Sequence, residues 1–178
     1  MIFLLNLTVN NRVNGDENKM MILNRRDSIV VQTSKGNDIL NSRDEVNDSP
    51  FFKHSIESLK QKFSNLTFKS EPSSTYNCHG MTFANRRTNI FEISEIGKIL
   101  NDDRYIHVNL KEVLPGDIAL YYSEDGDIEH SAIVIQKPDN DLNVAFVISK
   151  WGSLHEVIHP IYICPYDTSN IRYFRCRL

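Results

Sequence analysis

Residues 76–81, Tyr-Asn-Cys-His-Gly-Met, decide the fold of this chain. They follow a polar loop and precede apolar residues, which predicts a turn that passes into a helix. Asn is a favoured N-cap, so the helix is expected to begin at Asn77 or Cys78 and to end in a cationic turn at residues 85–87, Asn-Arg-Arg. Gly80 costs about 1 kcal/mol in a helix relative to Ala, and this cost indicates that another element packs closely over that turn.

A histidine further along the chain complements this cysteine. Residues 129–134, Glu-His-Ser-Ala-Ile-Val, place His130 at the start of an apolar run that is typical of a strand. Thiol catalysis needs a thiolate, and both a helix N-terminus and a nearby imidazolium stabilise the thiolate over the thiol. Cys78 and His130 are therefore the candidate nucleophile and general acid–base.

The apolar pattern predicts helices before strands. An amphipathic helix is predicted over residues 51–66 and a second helix over 93–100. A short strand is predicted over 2–9, and the later strands fall at 105–108, 118–122, 130–136, 142–149, 157–163 and 171–175. This order predicts an α+β fold in which N-terminal helices pack on a C-terminal antiparallel sheet.

The chain divides into two stretches of different composition. Residues 1–48 are a polar segment with short strands, and whether they belong to the same domain is left open. Residues 49–178 are the predicted catalytic domain. At 178 residues and 40% hydrophobic composition, the chain can bury a core of its own.

Charge and hydropathy limit the partners and the compartment. The net charge of −3 gives no general electrostatic reason to expect nucleic acid or an anionic membrane surface as a partner. No apolar run approaches the roughly 20 residues that cross a bilayer. The apolar residues 1–5 are too short for a signal peptide and have no basic residue before them. We therefore expect a cytoplasmic protein, or one exported by a leaderless route.

The other two cysteines are expected to be structural, and the histidines near the C-terminus are not spaced for a metal site of their own. Cys164 and Cys176 are predicted to be small buried hydrophobic residues, and a bridge between them would be unusual in a reducing cytosol. His155 and His159 share a face of a predicted strand but would stand about 13 Å apart, too far for one metal ion. A zinc site that also uses Cys78 is the alternative chemistry, and we expect no metal and no cofactor.

Three motifs together resemble a known family. Residues 77–81 resemble the Asp-Cys-Ser-Gly-apolar motif of NlpC-like cysteine peptidases, which belong to the papain-like superfamily, with Asn77 in place of Asp and His79 in place of Ser. Residues 114–118, Leu-Pro-Gly-Asp-Ile, look like that family's Leu-x-Pro-Gly-Asp-Leu segment, and residues 129–134 look like its histidine strand. The likeness covers residues 76–151. Because two residues beside the cysteine are replaced, the resemblance implies the family's thiol chemistry but not its usual substrate, the peptidoglycan stem peptide.

A third residue normally orients the imidazole. A hairpin of strands 130–136 and 142–149, with its turn near Asn140, would pair His130 with Ser149 or Lys150, and facing Cβ atoms lie about 5 Å apart. Residues 148–152 also look like the papain segment in which Asn precedes Ser-Trp-Gly, with Ser149 at the Asn position. Ser149 is the candidate for this role, and its rivals are Lys150, His155 and His159.

Other residues near the motifs are candidate substrate contacts. Trp151 would shield the histidine from water, while Tyr76 and His79 are candidate side-chain donors to an oxyanion beside the backbone N–H of Cys78. In this mechanism the Cys78 thiolate attacks a carbonyl carbon, and His130 protonates the leaving amine.

The resemblance implies a thiol hydrolase that cleaves an amide or peptide bond, so its expected partner is a peptide or protein substrate. A small leaderless enzyme of this kind suits a bacterial effector or toxin, which an inhibitory or immunity protein would restrain. Two alternatives remain open: a thiol acyltransferase or transglutaminase, and a non-catalytic binding module on the same fold.

Overall fold

A computed structural model describes residues 28–43, 57–138 and 144–177. The strand predicted over 2–9, the first part of the helix predicted over 51–66, and the turn near Asn140 lie outside the described residues. Within the described ranges, no helix is long and apolar enough to cross a membrane.

The described residues form an α+β fold with an antiparallel sheet of seven strands. The sheet order is β1-β6-β5-β4-β3-β7-β2, and every neighbouring pair runs antiparallel. In chain order, the elements are α1 (57–62 in its described part), β1 (Thr67–Phe68), α2 (Cys78–Phe83), α3 (Ile93–Asp102), β2 (Tyr105–Val108), a 3-10 turn (Leu110–Glu112), β3 (Ile118–Tyr122), β4 (Ile128–Gln136), β5 (Phe146–Lys150), β6 (Glu156–Pro160) and β7 (Ile171–Cys176).

The sequence predicts the long elements better than their ends. Strands β2 and β3 have the predicted bounds. Strand β1, in contrast, falls in the polar loop predicted before residue 76. Its two residues become extended only by pairing with β6. Helix α2 ends at Phe83, so residues 85–87 do not form its last turn. Asn85 and Arg86 instead take left-handed φ values of 49° and 64°, which end the helix.

Both faces of the sheet are buried, and this explains the unbroken apolar run of β3. Ala119 and Tyr121 belong to one hydrophobic cluster, while Ile118 and Leu120 belong to another, as expected when alternate side chains point to opposite faces. The first cluster is formed by Val108, Val113, Ala119, Tyr121, Ala132, Val134, Ala145, Val147, Trp151, Val157, Ile161, Cys164 and Tyr173. The second, to which α3 contributes Ile96 and Ile99, is formed by Val31, Ile39, Ala84, Ile90, Ile96, Ile99, Ile118, Leu120 and Tyr122.

Residues 28–43 are joined to the remainder of the fold by their apolar and their polar side chains. Val31 and Ile39 lie in the second cluster. The carboxylate of Asp102, at the end of α3, accepts hydrogen bonds from Thr33 at 2.9 Å and from Asn37 at 2.6 Å. The described part of the polar N-terminal segment therefore shares a core with the later residues.

All three cysteines lie in described parts of the chain, and all three are free. Cys164 is buried, as predicted, and burial raises the pKa of its thiol to about 11. Cys176 is exposed, contrary to the prediction, because it is the last residue of β7 and pairs with Tyr105 of the edge strand β2.

Candidate active site

Cys78 is the first residue of α2, and Asn77 is its N-cap, as predicted. The Oδ1 atom of Asn77 accepts hydrogen bonds from the backbone N–H groups of Gly80 at 2.8 Å and Ile90 at 3.1 Å. Its amide group donates to the Ile90 carbonyl at 2.7 Å. One side chain thus caps the helix and fixes its first turn to the segment that precedes α3, which locates the thiol.

The glycine at position 80 predicted that another element packs closely over this turn of α2. The structure confirms this prediction. A Cβ atom at this position would lie 1.7 Å from the carbonyl oxygen of Thr88. Thr88 is itself fixed, because its hydroxyl donates toward the Asn41 side chain at 2.8 Å and the Ser42 carbonyl at 2.9 Å. The backbone around the nucleophile is therefore packed without room for a side chain at this turn.

His130 lies in β4 opposite Tyr121 of β3 and is completely buried. Its ring stacks on that of Tyr166 with a centroid distance of 3.8 Å and an interplanar angle of 10°. The Tyr121 ring lies at 5.1 Å on a tilted plane. Among the residues that the structure describes, no oxygen or nitrogen atom is hydrogen-bonded to either ring nitrogen of His130, and the side chain with which its imidazole interacts is that of Cys78.

Cys78 and His130 each affect the pKa of the other. Burial raises the pKa of the Cys78 thiol, but the imidazoles of His79 and His130 lower it by more, so the pKa lies well below its ordinary value. Burial lowers the pKa of His130, and the Cys78 thiolate opposes this change. Each group therefore stabilises the charged form of the other, as in a thiolate–imidazolium pair.

His79, a predicted substrate contact, instead belongs to a chain of hydrogen bonds that returns to Cys78. Its Nδ1 atom lies 2.9 Å from the Ser131 hydroxyl, which lies 3.0 Å from the Thr82 hydroxyl. The Thr82 hydroxyl donates to the Cys78 carbonyl at 3.0 Å. A carbonyl can only accept, so Ser131 donates to Thr82 and His79 donates to Ser131. The chain thus fixes the His79 tautomer with its proton on Nδ1.

Ser149, the predicted orienting residue, is paired with Ala132 of β4, two residues beyond the predicted partner His130. Its hydroxyl lies 2.8 Å from Nε2 of His159 and accepts a hydrogen bond from the Trp151 indole at 2.9 Å. Because the Pro160 carbonyl, 2.9 Å from Nδ1 of His159, can only accept, Nδ1 carries the proton and Nε2 accepts from Ser149. Ser149 therefore has its hydrogen bonds with His159 and Trp151.

Three more of the predicted residues, Trp151, His155 and His159, also have structural partners. Trp151 is buried in the first cluster, where its ring packs at 5.7 Å from that of Phe63 and at 5.4 Å from that of His159. His155 lies just before β6, and its Nδ1 atom hydrogen-bonds to the Ser70 carbonyl. Burial lowers the pKa of His159 to about 4, so this imidazole is neutral near neutral pH.

Tyr76, two residues before Cys78, is held by the buried carboxylate of an ion pair. Its hydroxyl donates to Glu156 at 2.8 Å, and burial together with that carboxylate raises the pKa of Tyr76 to about 12. The Arg86 guanidinium binds both oxygens of Glu156, at 2.6 and 3.1 Å. Lys150 lies opposite Glu156 in the sheet and is also buried.

Sequence reasoning missed four residues that contact the predicted ones: Arg86, Glu156, Ser131 and Tyr166. Charged residues inside otherwise apolar strands, such as Lys150 and Glu156, were a usable signal, because buried charges are usually paired. Tyr166 lies between β6 and β7 in a segment without a periodic pattern, and it had no comparable signal.

Comparison with known proteins adds no family assignment, since no family model, no curated protein and no solved structure matches this chain. Within the described residues, His, Cys, Asp and Glu side chains form no group of three or more that could hold a metal ion.

Proposed function

We propose that this chain is a thiol hydrolase that cleaves an amide or peptide bond, with Cys78 as nucleophile and His130 as general acid–base, on a papain-like, NlpC-like fold. The observation that supports this proposal best is the direction of the thiol pKa. Burial alone raises the pKa of a cysteine, yet the two imidazoles beside Cys78 lower it well below its ordinary value. A structural cysteine in an apolar core, such as Cys164, shows the opposite direction.

The proposed reaction follows from the placement of these groups. The Cys78 proton passes to His130, and the thiolate attacks the carbonyl carbon of the substrate. Backbone N–H groups at a helix start lack partners within the helix, and that of Cys78 stabilises the oxyanion. His130 then gives its proton to the leaving amine as the C–N bond breaks. Water, deprotonated by His130, hydrolyses the thioester and releases the acid and the thiol.

Two features of the site support this role for His130. No oxygen or nitrogen atom that the structure describes is hydrogen-bonded to either ring nitrogen, so both are free for the thiol and the leaving group. Cys78 is 6% exposed and His130 is not exposed, so a substrate must displace covering side chains to reach them. Such closure keeps water from the ion pair until the substrate binds.

The substrate and the setting are part of the proposal. We propose a peptide or protein substrate, because the resemblance to NlpC-like cysteine peptidases implies that the carbonyl attacked by Cys78 belongs to an amide or peptide bond. The resemblance to NlpC-like peptidases supports a bacterial effector or toxin, held in check by an inhibitory or immunity protein.

Alkylation by iodoacetamide tests the pair directly. The rate at Cys78 is measured from pH 4 to 9 by peptide mass, which separates it from the other two cysteines, in the wild type and in His130→Ala. We expect rapid alkylation well below pH 8 in the wild type and loss of this acid limb in His130→Ala. If Cys78 of both proteins reacts only above pH 8, the hydrolase proposal is wrong and a binding module is favoured.

A further inference from the structure

The catalytic imidazole of this site lacks the hydrogen bond that normally orients it. Among the described residues, neither nitrogen of His130 is hydrogen-bonded to an oxygen or nitrogen atom. The four residues predicted for this role each have other contacts: Ser149 binds His159 and Trp151, Lys150 binds backbone carbonyls, and His155 and His159 bind the carbonyls of Ser70 and Pro160. The orientation of the ring must therefore have another source.

The His130 ring is instead held by two aromatic rings. Tyr166 lies parallel to it at 3.8 Å, and Tyr121 lies at 5.1 Å with an interplanar angle of 59°. A face-to-face neighbour at this distance prevents the imidazole from rotating out of its plane. Aromatic pairs contribute about 0.5–1.5 kcal/mol beyond their buried area, which is enough to favour one ring orientation.

The segment that carries Tyr166 is itself anchored. Ile161 is buried, donates to the Ala145 carbonyl at 2.9 Å and accepts at its own carbonyl from the Tyr121 hydroxyl at 3.0 Å. Cys164 is buried, and its thiol lies 3.8 Å from the Tyr166 carbonyl oxygen. The two rings that flank His130 are thus connected through one packed segment.

We propose that Tyr166 is the positioning residue of His130, replacing a hydrogen-bonding third residue by a parallel ring stack. The inference rests on the proposed thiol chemistry. When Cys78 ionises, His130 becomes an imidazolium over the face of Tyr166, and a cation over an aromatic face is stabilised. The stack therefore favours the ion pair over the neutral thiol and imidazole.

The test compares Tyr166→Phe and Tyr166→Leu by the pH midpoint of Cys78 alkylation. The midpoint reports the thiolate fraction, whereas the plateau rate at high pH reports access to the thiol. We expect Tyr166→Phe to keep the wild-type midpoint, because the ring remains. We expect Tyr166→Leu to raise it by about one pH unit, which is a roughly tenfold loss of thiolate on the acid side. Tyr162→Leu, at a 46% exposed tyrosine of the same segment, should leave the midpoint unchanged.

The charged and titratable groups that act on His130 or on its stacking partner, namely Cys78, His79, His159, Cys164 and Glu129, are the same in these variants. Both Tyr166 variants lose the hydrogen bond between the Tyr166 hydroxyl and the Gly152 backbone, so Tyr166→Phe measures the effect of that loss alone. An unchanged midpoint in Tyr166→Leu overturns the inference alone. An equal shift in Tyr166→Phe also overturns it, since the hydroxyl would then be responsible. A wild type without an acid limb overturns the proposed function and the role of Tyr166 with it.

A measurement on the wild type covers the case in which Tyr166→Leu does not fold. Proton NMR of the protein with labelled histidine rings should show the His130 ring protons shifted upfield by the Tyr166 ring current. The shift should persist in Cys78→Ala, which has no thiol. Its absence from the wild type would contradict the stack and overturn the inference.

Discussion

The Nζ atom of Lys150 lies 5.3 Å from the centroid of the Tyr76 ring. The same ammonium donates hydrogen bonds to carbonyl oxygens on both sides of the site, those of Ser73, Gly152 and Leu154. Burial lowers the pKa of Lys150 to about 8. This buried side chain connects the loop before the nucleophile to the turn after β5, so the position of Cys78 depends on it.

Replacement of Lys150 by Met should destabilise the protein. The substitution leaves the carbonyls of Ser73, Gly152 and Leu154 without their donor, and an unsatisfied buried polar group costs about 1–3 kcal/mol. We expect the free energy of unfolding in urea to fall by about 1–3 kcal/mol or more. Lys98→Met is the matched control, because Lys98 forms a partly exposed ion pair with Glu95 at 2.7 Å, and such pairs contribute about 0–1 kcal/mol. Equal losses in the two variants would contradict this role for Lys150.

The His159 network predicts a loss of stability in acid. The pKa of His159 is about 4 in the folded protein, because of burial, and about 6.5 in an unfolded chain. Between these values the unfolded chain binds the additional proton, so the stability present above pH 6.5 is lost as the pH falls toward 4. The difference corresponds to about 3 kcal/mol.

Urea unfolding at several pH values between 4 and 7 measures this effect. In His159→Gln the side chain does not titrate, and its oxygen can still accept from Ser149, so we expect a pH dependence weaker by about 3 kcal/mol. His107→Gln, at an exposed position of β2, should keep the wild-type dependence. A His159→Gln variant that loses stability in acid as steeply as the wild type would show that His159 is not neutral in the fold.

Local sequence signals predicted the elements that place the nucleophile. The β-propensity of residues 118–122 gave the bounds of β3, and Asn77 gave the N-cap of α2. These features depend on neighbours in the chain. These local signals were sufficient to predict the α+β class and a cysteine at the start of a helix. The papain-like fold is still a proposal.

The contacts of the site depend on residues that are far apart in the chain, and these the sequence did not predict. Ser149 pairs with Ala132 because the register of the β4–β5 ladder, which also shifts between Val134 and Gln136, differs from the register that a turn centred near Asn140 would give, and no turn residue signals this. Tyr166 stacks on His130 because of the path of the segment after β6. Periodicity carries no information on such a path, so the stacking partner had no sequence signal.

The close packing at Gly80 predicts that Gly80→Ala lowers the free energy of unfolding, whereas the control variant Gly97→Ala should raise it. A methyl group at Gly80 would overlap the Thr88 carbonyl oxygen at 1.7 Å, and that oxygen belongs to a buried backbone that cannot move aside easily. We expect Gly80→Ala to lower the free energy of unfolding by about 3 kcal/mol, at the upper end of the cost of overpacking. The shift of α2 should also displace Cys78, so alkylation at pH 6 should slow.

Gly97→Ala is the matched control within α3. Around a Cβ atom at Gly97, no described atom lies within 4 Å apart from the adjacent residues and the neighbouring backbone of α3 itself. Ala is favoured over Gly in a helix interior, so this variant should gain about 1 kcal/mol of stability and keep the wild-type alkylation rate. Thermal unfolding and alkylation of the two variants, run side by side, separate helix propensity from packing. A Gly80→Ala protein that gains stability as Gly97→Ala does would mean that the Thr88 backbone does not lie against the nucleophile's helix.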